Sequence, residues 1–334
     1  MRTIGWAILF LSLPAKLHAV EPRPVKLIFD TDIGNDIDDA LALAVIHELA
    51  DRGEVDLLAV TISKDNPWAA PYVDLVNTFY GRPEIPIGVV RNGKTPDDGK
   101  YLRQIVEAAE NGKTIYPHKL KSGADAPEAV GLLRKTLASQ ADGSVVFVTV
   151  GFLTNAARLM DSKPDESSPL DGMELVKKKI SLYCMMAGAF SDPRAPEYNV
   201  IIDADASREV FEKWPTPIVA SGYEIGLAIK YPAQSIEMDY RYVPHHPVAE
   251  AYRLYEKMPN DRPTWDLTAA LYAIRPEHEC FGLSKAGKIS LGEKNVTKFE
   301  ERADGTHRFL TLTPEQGIRV KEALVEMASS PPGK

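Results

Sequence analysis

The sequence predicts a single α/β domain: one open, mostly parallel sheet flanked by helices, with a Rossmann-like core. Three observations predict it. Short apolar runs alternate with amphipathic helical segments along most of the chain. The 334 residues are 44% hydrophobic and 26% charged, the proportions of a folded protein with ample material for a core. A cluster of aspartates follows the first apolar run, at the strand end where open α/β sheets bind ligands.

The elements follow in order. Segment 25–29 is apolar apart from Lys26 and reads as a buried strand. Segment 38–50 puts Leu41, Val45 and Leu49 on one helical face, and Gly53 ends that helix. A strand at 55–62, a helix at 69–80 and a strand at 85–90 complete a β-α-β-α-β unit, which implies parallel strands. Residues 91–125 are rich in Gly, Pro, Lys and Asp. They read as a surface excursion with one short helix, either a lid over a site or a loose insertion. The alternation resumes with helix 127–140, strand 145–150 and helix 153–160. A turn region at 163–169, strand 180–186, helix 205–214 and a strand near 218–220 follow. Helices at 248–258 and 265–274 lead to a less regular end with strands at 287–291 and 309–312. A closing helix over 314–328 has proline in its first turn. No repeat or linker divides the chain.

The N-terminus reads differently. Arg2 precedes an apolar run over 4–13, broken only by Gly5 and Ser12, and then come Pro14, Lys16 and Ala19. That is the order of a secretory signal. The run is shorter than the ~20 apolar residues of a membrane span. The chain therefore divides into a signal peptide, 1–19, and one domain, 20–334. The mature protein is expected to be secreted or periplasmic, without stable membrane association after cleavage. An uncleaved anchor is the alternative. Cys184 and Cys280 sit in apolar surroundings and read as buried thiols, with one bridge the alternative in an oxidising compartment. The net charge is −8 with no dense basic run, which argues against nucleic acid as a partner.

The segment FDTDIGNDIDD brings Asp30, Asp32, Asp36, Asp38 and Asp39 together. So many like charges must solvate, cap the next helix or meet a cation. Capping explains one or two of them. A hard divalent ion with oxygen ligands, calcium or magnesium, explains several. The spacing is not that of an EF-hand: Asn35 stands where that loop needs glycine and Leu41 where it needs glutamate.

This segment resembles the N-terminal signature of the inosine-uridine-preferring nucleoside hydrolase family, Asp-x-Asp-Pro-Gly-x-Asp-Asp before an Ala/Leu-rich helix. The chain has Ile33 where proline is usual and two more residues before the paired acids. Four further segments are similar to family segments, in the family's order. DLLAVTISKDN ends at Asn66. GFLTNAARL follows Val150 and has Phe152 in place of proline. MAGAF precedes PEYN, with Glu197 and Asn199. RPTWDLTAALYA contains Asp266. The resemblance covers roughly residues 25–275.

It implies hydrolysis of the N-glycosidic bond of a ribonucleoside or related riboside. It implies a Ca2+ ion held by Asp32, Asp39, Asp266 and the Val150 carbonyl, with Asp32 as general base for the attacking water. Asp38, Asn66, Glu197 and Asn199 would grip sugar hydroxyls, and Asp30 would brace the ligands from behind. The purine-processing relatives carry a histidine where this chain has Trp265, which could stack on a base or wall off the site but is no general acid. Ser191 and Asp192 replace a usual glycine-asparagine. The implied partner is a small riboside, and a homo-oligomer is compatible with the resemblance.

Two other readings use the same residues. A riboside-binding protein would keep the metal site without turnover. A phosphatase of the haloacid-dehalogenase type would use Asp30 as nucleophile and Asp32 as acid. Three further features carry less. His245 and His246 read as surface residues rather than a metal pair. Trp68 and Tyr72 read as core or pocket lining. The run Lys177–Lys179 reads as a solvated helix end.

Overall fold

The computed structural model describes residues 23–191 and 196–333. The predicted signal and Asp192 lie outside the described residues. The main strands are β1 (Val25–Thr31), β2 (Val55–Lys64), β3 (Ile87–Lys94), β4 (Val145–Thr149), β5 (Ile180–Met186), β6 (Ile218–Ser221), β7 (Gly287–Leu291), β8 (Thr297–Glu301) and β9 (His307–Thr311). They form one sheet in the order β8-β7-β9-β6-β5-β4-β1-β2-β3, with Gly282–Leu283 pairing β9 as a tenth, short strand. From β3 across to β9 every neighbouring pair is parallel. The pairs of β7 with β9 and with β8 are antiparallel. The predicted single, mostly parallel sheet is the one observed.

Helices cover both faces. On one side lie α1 (Asp38–Asp51), α2 (Ala69–Phe79), α11 (Pro247–Tyr255), α12 (Trp265–Ile274) and α13 (Pro314–Ser329). On the other lie α4 (Ala129–Ala138), α5 (Thr154–Asp161), α6 (Gly172–Lys179) and α8 (Ala204–Lys213). Short helices α3 (Leu102–Val106), α7 (Tyr198–Ile202), α9 (Tyr223–Ala228) and α10 (Ala233–Met238) fill the loops between them. The sequence DDALALAVIHELAD makes α1 a helix buried almost all round, because it packs between the sheet, α12 and α13.

Several expectations needed correction. The region after the turn at 163–169 contains α6, started by a capping box in which Asp171 accepts from the Glu174 N–H and Glu174 answers. Lys177–Lys179 are its last turn. β8 escaped notice because its alternating polar residues, Thr297 to Glu301, lie at the edge of the sheet. His246 is not on the surface. It is buried, caps α11 through Nδ1, and sits edge-on to Phe79, Tyr80, Tyr240 and Tyr242. Burial pushes its pKa down to about 3. His245 pairs with Glu250. Tyr72 is core, and Trp68 packs half-buried against it. Both cysteines are free thiols, Cys184 buried and Cys280 partly so.

The excursion at 91–125 folds down on the acidic loop after β1. The Tyr101 hydroxyl donates to the Asp36 carbonyl at 2.8 Å, and Leu102 packs against Gly34. Gly34 has φ +107°, and a Cβ there would lie 2.3 Å from Leu102 Cδ1, so the turn requires glycine. None of the excursion lines the cavity described next.

Candidate active site

The cavity opens at the carboxyl ends of β1, β4 and β5, where the strands deliver the loops carrying Asp32, Val150 and Met186. Its volume is about 360 Å³, within the roughly 300–1,000 Å³ span of small-molecule sites. One end is acidic: Asp32, Asp38, Asp39 and Asp266. Val150, Glu197 and Asn199 form one wall. Tyr198, Tyr223, Tyr255, Trp265 and Arg262 line the other end, and Asn35, Asp36 and Met186 also border the space. Eight of the nine residues singled out in the sequence therefore line one cavity, although they come from four separate segments.

Asn66 is the exception. Its amide nitrogen donates to the Pro96 and Asp97 carbonyls at 2.9 and 3.1 Å and to Asp98, and its oxygen accepts from the Trp68 N–H. It lines a separate depression with Lys64, Asp65 and Arg91. The side chain is spent tying the excursion to the end of β2, so it does not reach a ligand in the cavity.

Each acid has a distinct anchor. Asp32 accepts from Asn35 Nδ2 at 2.8 Å, and the buried Lys64 ammonium donates to Asn35 Oδ1 and to the Thr95 carbonyl, both at 2.7 Å. Burial raises the Asp32 pKa to about 6, against the Asn35 hydrogen bond and the Lys64 charge. Asp39 accepts from the Thr31 hydroxyl, and Asp38 from the backbone N–H of Asp266 at 3.1 Å. Asp30 lies fully buried beneath them, accepting from Thr61 at 2.6 Å and Asn155 at 2.7 Å, with Oδ2 unpartnered. Burial raises it to about 7. It does not line the cavity, so it cannot serve as a nucleophile, and the phosphatase reading falls.

Carboxylate oxygens of Asp38, Asp39 and Asp266 lie within 4.8 Å of one another. Burial first, and then repulsion from neighbouring aspartates including Asp32 and Asp36, holds all three well above the usual carboxylate range. No Lys or Arg hydrogen-bonds to any of the three among the described residues. A compact, buried, all-oxygen set of this kind fits a hard divalent cation. Asp32 borders the same space, and so does Val150, whose carbonyl accepts from Asn199 Nδ2 at 2.8 Å and keeps a second lone pair.

The wall is built from backbone. Asn199 Nδ2 also reaches the Met186 carbonyl at 3.1 Å, which joins the ends of β4 and β5. Glu197 caps α7, accepting from the N–H groups of Gly188, Asn199 and Val200. Burial raises its pKa to about 7 against those bonds.

Sequence reasoning left Asp36 unassigned and passed over Arg262. The structure pairs them: Arg262 Nε donates to Asp36 Oδ1 at 2.9 Å, and Nη2 donates to Oδ2. The guanidinium lies over the rings of Tyr255 and Trp265, 5.0 and 5.3 Å from their centroids. Arg262 stands three residues before Trp265 inside a segment already singled out, and that was the available signal. Trp265 stacks on Tyr223 and donates its N–H to the Tyr223 carbonyl at 2.8 Å.

The comparisons with known proteins agree with this geometry. The solved structure of a plant nucleoside hydrolase is 19% identical, with 92% of this chain and 100% of that one covered and a TM-score of 0.69. A purine-preferring ribonucleoside hydrolase from Gardnerella vaginalis is 16% identical, with 92% and 99% covered and a TM-score of 0.67. At those identities they share the fold. An uncharacterised protein of Schizosaccharomyces pombe is 27% identical over 215 residues, 60% of this chain. The match spans 62% of the length of that curated relative. The family model described as inosine-uridine preferring nucleoside hydrolase matches residues 27–320, nearly the whole described chain, and the chain belongs to that family.

Proposed function

We propose that this protein hydrolyses the N-glycosidic bond of ribonucleosides or related ribosides, with a calcium ion held by Asp32, Asp39, Asp266 and the Val150 carbonyl. The observation that carries the reading is the convergence of those four positions with Asp38 and Asn199 on one cavity, in a chain of the nucleoside hydrolase family. A bound divalent cation would lower the pKa of a water and hold it beside the sugar.

The chain's own residues supply the rest. Asp32 accepts the proton of the attacking water. Asn35 fixes the carboxylate's orientation. Asp38 and the amide oxygen of Asn199 take the sugar hydroxyls, while Glu197 holds the backbone that carries Asn199. The aromatic wall excludes water from the sugar as it becomes oxocarbenium-like. The segment 1–19 supports export, and the site of action proposed is the periplasm or the exterior. The partner is a small riboside.

The deciding experiment is ribose release from a panel of purine, pyrimidine and non-standard ribosides, with calcium and with chelator. Chelator-sensitive release is the expected result. No release from any riboside, with calcium still bound, would overturn hydrolysis. That result would favour a riboside-binding protein.

A further inference from the structure

The cavity is chemically polarised. Its acidic end accounts for a cation, a water and the sugar. The other end holds aromatic rings and Arg262, the one cationic side chain among the described lining residues. This end is left for the aglycone. We propose that Arg262, clamped by Asp36, is the residue that receives the departing base in this enzyme, stabilising it as an anion by hydrogen bonding. The inference rests on the riboside-hydrolase reading.

Four contacts fix the guanidinium. Nε and Nη2 engage both oxygens of Asp36, Nη2 also donates to the Tyr255 hydroxyl at 3.1 Å, and the plane lies over Tyr255 and Trp265. A bidentate carboxylate and two rings leave little freedom, so the group is pre-organised. Nη1 makes no hydrogen bond among the described residues. Its nearest carboxylate, Glu256, is 3.9 Å away, too far for one. Nη1 therefore has donors to offer, and the side chain is partly exposed to the cavity at 21%.

The clamp occupies the sequence that departs from the family signature. Of the residues added between Gly34 and the paired acids, Asn35 braces Asp32 and Asp36 holds Arg262. One short addition thus serves both ends of the cavity.

The step balances without an acid. Water attacks C1′ of the ribose, giving its proton to Asp32. The C1′–N bond breaks with its electron pair moving onto the base. In a base with a ring carbonyl that charge spreads to the oxygen, and Arg262 donates a hydrogen bond to it. A guanidinium does not release its proton, so the base leaves as an anion and takes a proton from solvent afterwards. The Asp32 proton also returns to solvent. A base without a carbonyl gives Arg262 much less to hold.

The test compares kcat/KM of the calcium-loaded protein for inosine, uridine, adenosine and p-nitrophenyl β-riboside, whose leaving group is already a stable anion. Arg262→Gln is expected to lose roughly 100-fold more on inosine and uridine than on the nitrophenyl riboside. Arg262→Lys should recover part of that difference, and Asp36→Asn should show a smaller loss in the same direction. Equal losses on all four substrates would mean Arg262 is only structural and would overturn the inference. If the unmodified protein cleaves the nitrophenyl riboside but its preference is unmoved by Arg262→Gln, the inference fails and the hydrolase reading stands. If it cleaves none of the four, both fall.

Discussion

Asp38 Oδ2 accepts a hydrogen bond of 3.1 Å from the backbone N–H of Asp266, 228 residues later in the chain. The bond joins the first turn of α1 to the first turn of α12, so two helix N-termini face the acid cluster together. Each positive helix end favours a nearby carboxylate by about 0.3–1 kcal/mol. That softens the repulsion among Asp38, Asp39 and Asp266 without cancelling it, as their raised pKa values show.

A cation should therefore change how stability depends on pH. Without metal, Asp38, Asp39 and Asp266 titrate above their unfolded value of 3.8, and Asp30 and Glu197 at about 7. Between the unfolded and folded pKa values the native state binds more protons. Stability from these groups is thus full below about pH 4 and declines as pH rises through 7. Calcium should remove most of that decline and, at a hundredfold excess over its Kd, add about 2.7 kcal/mol. Buried His47, His246 and His307, lowered to about 3, 3 and 4, act oppositely below pH 6.5. They contribute equally with and without metal, so the difference between thermal unfolding curves in calcium and in chelator isolates the carboxyls. Identical curves would refute the metal site.

Asp32→Asn should lower kcat by roughly 10²–10⁴-fold, with the far-UV circular dichroism unchanged. Binding of a ribose analogue should survive in part, because Asp38 and Asn199 remain. Retained turnover would remove Asp32 from the role of base.

Lys64→Met should act at a distance. It strips the donor from Asn35 Oδ1 and the Thr95 carbonyl, leaving polar groups unpaired at about 1–3 kcal/mol in stability. Asn35 then no longer holds Asp32, and kcat should fall more than KM rises. A loss of stability with unchanged kcat would confine Lys64 to the fold.

Gly151→Ala probes the crowding behind the base. A Cβ there would sit 2.5 Å from the Asp32 backbone nitrogen and 2.6 Å from Ser63 Oγ. Strand ends must separate to admit it, which should cost about 1–3 kcal/mol and displace Asp32. Unfolding and single-turnover kinetics on the same variant should both report it.

Much of this was legible in the sequence because it is local. Strand 180–186 and helix 265–274 match β5 and α12 to the residue, since burial imposes period and length on the chain. The acid cluster is also local, five aspartates on one loop. Other features depend on pairings that no period records. Arg262 meets Asp36 across 226 residues, and Asn66 spends its amide on a loop thirty residues away. His246 reads as exposed because it follows another histidine in a proline-flanked loop, while its neighbours in space are four aromatic rings. α6 is legible at its end, where Lys177–Lys179 read as a solvated helix terminus, while its start is marked only by Asp171 and Glu174 at capping-box spacing.

The bond between Asp38 and Asp266 also bears on how the protein is made. During synthesis the loop with Asp32, Asp38 and Asp39 emerges first, Val150 much later, and Asp266 only when four-fifths of the chain exists. Until then the acids form half a cage with no second helix end beside them. A growing chain in that state repels itself at its own first loop and offers an ion only a weak foothold. Metal capture thus becomes an event of completed chains, and a protein truncated before residue 266 should neither hold calcium tightly nor close its sheet around the acids.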